Sequence, residues 1–119
     1  MTFLGYMDKQ LSSIINYELG MWSGPLKFPF WIGEYQETNY LYEQEYHEYS
    51  FTMMGTTKGT WAQLEADRDK IVNLLSNHGG LVKQGHSIAI FYDGAMMIPS
   101  QDETIKRMQI NFTIKEWGK

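Results

Sequence analysis

Lys106-Arg107-Met108-Gln109-Ile110-Asn111-Phe112-Thr113-Ile114-Lys115-Glu116-Trp117 is the stretch on which the fold turns. Met108, Ile110, Phe112 and Ile114 fall on one side of an extended chain, and Arg107, Gln109, Asn111, Thr113 and Lys115 on the other. A period of two with one apolar side predicts a strand over about residues 104–117, packed on a core along one face only. The same period recurs over residues 45–57, where His47, Tyr49, Phe51 and Met53 oppose Glu48, Ser50 and Thr52. Two further strands are expected. One runs through Phe28–Glu37, with Pro29 and Gly33 marking an edge, a bulge or a close approach. The other covers Ser87–Tyr92, apolar on both faces as in a central strand and ended by an Asp93-Gly94 turn.

Two segments carry helical spacing instead. Leu4, Met7, Leu11, Ile14, Ile15 and Leu19 recur at steps of three and four, predicting a helix over about 3–19 that stops at Gly20. Thr60 and Gln63 stand at capping-box spacing ahead of Trp61, Leu64, Ile71, Val72, Leu74 and Leu75, a second helix closed by Gly79-Gly80. The expected order is helix, strand, strand, helix, strand, strand: an α+β fold with a largely antiparallel four-stranded sheet and both helices on one face. Its 119 residues suit one domain, 1–119. Residues 38–45, polar, tyrosine-rich and aperiodic, read as an exposed connection with a functional role.

Composition narrows the chemistry. A net charge of −4 repels phosphate and anionic lipid, so sequence-specific nucleic-acid binding is not expected. The absence of cysteine excludes disulfides, thiolate metal sites and a cysteine nucleophile, and suits a reducing cytosol. No signal peptide or membrane-spanning stretch is evident, so a soluble, membrane-free protein is expected. His47, His78 and His86 lack metal-site spacing, and no phosphate loop or nucleophile elbow occurs. Glu34, Glu37, Glu43, Glu45 and Glu48 read as a solvated segment, and Glu65, Asp67 and Asp69 as the wet face of the second helix. No catalytic residue, cofactor or metal is expected. Aromatic residues at 15% and eight methionines leave two readings open, an aromatic-rich core or a surplus for protein interfaces.

Trp31-Ile32-Gly33-Glu34-Tyr35, Phe51-Thr52-Met53-Met54-Gly55-Thr56-Thr57-Lys58-Gly59, Leu64-Glu65-Ala66-Asp67, and Ile98-Pro99 followed by Lys106–Trp117 resemble the small tail-completion proteins of long-tailed bacteriophages and prophages. The resemblance covers about residues 30–117 and implies a tail terminator. Such a protein assembles as a ring, commonly of six copies, on the head-proximal end of the tail tube. It stops tube growth and presents a surface to the head connector. The implied partners are further copies of the chain, a tail-tube protein and a head-connector protein; the implied place is the virion tail or neck, after synthesis in the host bacterial cytoplasm. An acidic ring would let DNA pass without sticking. Tyr35, Tyr40, Tyr42 and Tyr46, with Met96 and Met97, are the expected subunit or partner contacts, and Arg107 either pairs with a neighbouring carboxylate or is solvated. The alternatives are another neck or head-completion component, or a small-ligand-binding regulatory domain.

Overall fold

The computed structural model describes residues 3–41, 46–76, 81–83 and 86–117. Their elements are α1 (Phe3–Ser12), β1 (Tyr17–Leu19), β2 (Phe30–Leu41), β3 (Tyr46–Thr57), α2 (Trp61–Ser76), β4 (Leu81–Lys83), β5 (His86–Ile98) and β6 (Lys106–Trp117). They form an α+β fold around a six-stranded sheet of order β1-β2-β3-β6-β5-β4. The pairing of β1 with β2 is parallel, and the rest of the ladder is antiparallel. Strands of 12 and 13 residues give the molecule its 48 Å long axis.

The alternation in residues 106–117 is realised as expected. Met108, Ile110, Phe112 and Ile114 are buried, and their sequence neighbours are exposed or half-buried. This strand and β3 form the middle of the sheet. Rows of paired residues across the strands make the core face: Trp31, Gly55, Met108 and Met97 in one, Gly33, Met53, Ile110 and Ala95 in the next. Met7 and Leu11 of α1 and Leu64, Ile71 and Leu75 of α2 close the same core. At the start of α2, Gln63 Oε1 accepts from the Thr60 N–H at 3.4 Å and from the Thr57 hydroxyl at 3.0 Å, which is the Gln63 half of the expected capping box.

Several expectations need correction. The first helix ends at Ser12, not near residue 19, because the carbonyl of Leu11 accepts from both Ile14 and Ile15 in a closing turn. Tyr17–Leu19 then forms a strand whose flanks bond β2, Asn16 O accepting from Trp31 N and Gly20 N donating to Gly33 O. Residues 38–41 continue β2 and are not part of a loop, since pairing with β3 persists past a bulge between Glu37 and Asn39. Asp93-Gly94 is a bulge within β5, not a turn: the register against β6 shifts between Tyr92 and Gly94, and Gly94 takes φ 126°, open to glycine without strain. The sheet therefore has six strands, not four, and β5 is central only where β4 pairs Ile88, Ser87 and His86.

Two glycines are fixed by close approach. A side chain on Gly33 would meet the Tyr17 and Phe51 rings, and one on Gly55 would stand 2.6 Å from the Trp31 ring. Trp31 cannot retreat: it is fully buried, and its indole N–H donates to Asp67 of α2 at 3.0 Å. Asp67, expected on the wet face of its helix, is instead half-buried and ties α2 to the sheet. Gly55→Ala should cost roughly 1–3 kcal/mol of unfolding free energy by overpacking. In a Trp31→Phe background the same change should cost markedly less, since the six-membered ring atoms Cζ2 and Cη2 that crowd it most are gone. Urea denaturation of the four proteins in this cycle checks the coupling, and additive costs would contradict the packing described here.

Candidate assembly surface

Past Ile88, no described strand pairs with the outer edge of β5, and past Gly33 none pairs with the outer edge of β2. Open edges of this kind carry backbone donors and acceptors that another chain can engage. The bulge at Asp93-Gly94 interrupts the β5 edge, and the Asp93 carboxylate accepts from the Thr113 hydroxyl of β6. Because the bulge changes the strand's parity, Met97 pairs with Met108 in the core-face row, while Met96 pairs with Gln109 in the opposite one. Both side chains remain exposed, at 52% for Met96 and 61% for Met97.

An open-sided groove of about 350 Å³ lies beside this edge, walled by Trp61, Glu65 and Arg68 of α2 and by Ala95, Met97 and Met108. Its floor is apolar and its helix rim is charged. Arg68 is engaged by Asp69 at 3.1 Å, which leaves Glu65 without an ion-pair partner among the described residues.

A second exposed apolar group lies in the turn between β1 and β2, where Met21 is 75% and Leu26 59% exposed. The turn is held from within. Trp22 donates its indole N–H to Pro25 O, and Ser23 donates both its backbone N–H and its hydroxyl to Glu18. The rings of Trp22 and Phe28 tilt against Phe30 at 5.2 and 5.6 Å, and Lys58 lies over Phe28. No sequence signal singled out this turn beyond its glycine and proline, because exposure of Met21 and Leu26 depends on how β1 and β2 pair.

Of the residues expected to make contacts, Tyr35 is exposed on β2 and packs edge-on against Tyr49 at 5.9 Å. Tyr49 continues into a stack with His47, whose ring nitrogen meets the Glu37 carboxylate. Tyr40 pairs with His47 and Tyr46 with Leu41 in the backbone register; their side chains, and Tyr42 altogether, lie outside the described residues. Arg107 is exposed beside Thr56 and Ile98 and forms no ion pair among the described residues. The structure thus separates the expected set between the two ends of the sheet's breadth, Tyr35 on β2 and Met96 and Met97 on β5.

Other polar groups serve the fold. Glu116 is buried next to Tyr49, whose hydroxyl donates to it at 3.5 Å, and its second oxygen has no hydrogen-bond partner among the described residues. Burial, and then the negative charges of Glu116 and Glu37, push the Tyr49 phenol up to about 12. Burial, helped by Asp8, raises Tyr17 further still. Asp102 is held below the usual carboxylate range by the hydroxyl and backbone N–H of Thr104, which shape the turn between β5 and β6. Among the described residues no group of three His, Asp or Glu side chains is placed to hold a metal ion, and no helix is long and apolar enough to cross a membrane.

No protein-family description and no curated protein sequence matches this chain. The fold does have a counterpart among solved structures. A chain of the virion of a native gene transfer agent particle superposes with a TM-score of 0.72 at 13% identity, covering 94% of this chain and 84% of that one. At that identity the likeness establishes a shared fold.

The raised phenols set an alkaline limit. An unfolded tyrosine ionises near 10, so Tyr49 holds its proton in the folded state after the unfolded chain has lost it. Its contribution to stability is complete below pH 10 and is lost as pH climbs towards about 12. In an absorbance titration of the eight tyrosines, Tyr17→Phe and Tyr49→Phe should each remove one phenol from the late-ionising fraction. Removal from the early fraction would contradict the burial assigned to them.

Proposed function

We propose that this chain is a non-catalytic structural protein of a phage-like particle, acting as a tail terminator. On this reading it assembles as a ring, commonly of six copies, on the head-proximal end of the tail tube, ends tube growth and joins the tail to the head connector. The observation that carries the proposal is the near full-length likeness of fold to a chain of a gene transfer agent virion. Three features of the chain are consistent with it. The edges of β2 past Gly33 and of β5 past Ile88 are unpaired among the described residues, so a neighbour could engage either side. Met96 and Met97 on one side and Met21 and Leu26 on the other are exposed apolar side chains that a neighbouring subunit could cover. The net charge of −4 disfavours adhesion to passing DNA.

A small-ligand domain would need an enclosed pocket with converging polar groups, whereas the groove beside Met97 is open-sided with an apolar floor. Another neck component would share the fold and differ in what its removal does.

The distinguishing test is deletion of the coding sequence in the source genome, followed by electron microscopy of the particles. A terminator predicts tails of uncontrolled length that fail to join filled heads, with normal tails restored when the chain is supplied in trans. Tails of normal length lacking heads would favour a different neck component, and unchanged particles would refute a structural role.

A further inference from the structure

The turn at residues 20–29 is built like a docking element. Its backbone is fixed by the Trp22–Pro25 and Ser23–Glu18 hydrogen bonds and by rings packed beneath it, yet Met21 and Leu26 are held out in water. Rigid presentation of apolar side chains lowers the ordering cost of binding. Lys27, between Leu26 and Phe28, has no ion-pair partner among the described residues.

The groove between α2 and β5 has the opposite shape and the opposite free charge. Its floor of Trp61, Ala95, Met97 and Met108 is apolar, and Glu65 stands on its rim without a cation partner. A volume of about 350 Å³ is ample for one or two aliphatic side chains. Methionine walls adapt readily to the shape of an inserted group.

The placement of the two is equally specific. The turn enters β2 at Phe30, whose row across the sheet runs through Thr56 and Arg107 to Ile98; the next row joins Trp31 to Met97. Knob and groove therefore lie at the same end of the strands and on opposite edges of the sheet. Different patches on opposite edges give a head-to-tail contact that closes into a ring when successive rotations complete a circle, whereas a two-fold dimer needs knob and groove to meet reciprocally across one axis and would give a cross-linked dimer without a ladder from the double-cysteine variant below.

We infer that the 20–29 turn of one copy inserts Leu26 and Met21 into the groove between α2 and β5 of a second copy, with Lys27 meeting Glu65 on the rim. This inference rests on the ring reading above and assigns that ring its subunit contact.

The natural chain has no cysteine, so a paired-cysteine experiment is free of background. L26C and M97C are introduced singly and together into the full chain and supplied to the deletion strain, and the particles are then oxidised. The contact predicts a cross-linked dimer when the two single variants are co-expressed, a ladder of higher species from the double variant, and none from either single variant alone. Disulfide formation needs Cβ atoms within about 4.5 Å, so a positive result is specific. Normal tails from the double variant with no cross-link would overturn the contact and leave the ring standing. A dimer from L26C alone would show a two-fold contact and overturn it too. If even the unmodified chain fails to correct the tails, the ring reading falls and the contact with it. A charge exchange adds a readout that loss of folding cannot mimic. Lys27→Glu or Glu65→Lys alone should lower the cross-link yield by roughly fivefold, and the two together should restore it. No recovery in the double exchange would rule out the Lys27–Glu65 pairing.

Discussion

The seating of Trp31 on Gly55 is the constraint from which the rest of the structure follows. One buried indole touches a strand that can carry no side chain beneath it and donates its N–H to Asp67 on α2. β2, β3 and α2 are thus locked together at a single point, in the row that ends at Met97 on the far edge. The polar bond matters as much as the packing, because a buried indole N–H without an acceptor would cost about 1–3 kcal/mol. Both ends of the proposed subunit contact depend on this anchor: the 20–29 turn leads through Phe30 into Trp31, and the groove is bounded by the helix that Asp67 holds.

The sheet is closed on one face and unfinished along its sides. Helix residues from α1 and α2 cover the core face, while three-residue β1 and β4 cover only parts of their neighbours. A free monomer with long uncovered edges risks indiscriminate strand pairing. The bulge at Asp93-Gly94, secured by Thr113, bends the β5 edge out of a continuous ladder, leaving side-chain contacts to determine which partner fits.

Much of this architecture was legible in the sequence. The period of two in residues 45–57 and 106–117 gave the two central strands and their buried faces, and the Thr60–Gln63 spacing placed the start of α2. Where one face is buried and the other wet, patterning carries the signal. It failed where tertiary contacts decide. The apolar spacing that suggested a longer first helix continues through Ile14, Ile15 and Leu19, but Tyr17 packs against Gly33, and backbone bonds to β2 outweigh local preference. Ser87–Tyr92 looked central because it is apolar on both faces; exposed Phe91 and Tyr92 instead lie on an edge. Asp93-Gly94 has the same letters in a turn and in a bulge. Of the residues expected to make contacts, Tyr35, Met96, Met97 and Arg107 are exposed, and Met21 and Leu26, also exposed, gave no signal in the sequence. Their significance comes from a fixed turn opposite a groove, a relation between distant segments.

The most direct test of assembly through opposite edges of the sheet is a high-resolution electron cryomicroscopy reconstruction of the head–tail junction in particles from the source. Assembly through these edges requires a ring of this chain at the end of the tail tube, with the 20–29 turn of each copy lodged between α2 and β5 of the next. A ring whose subunits meet through other surfaces, or a junction from which this chain is missing, would contradict it.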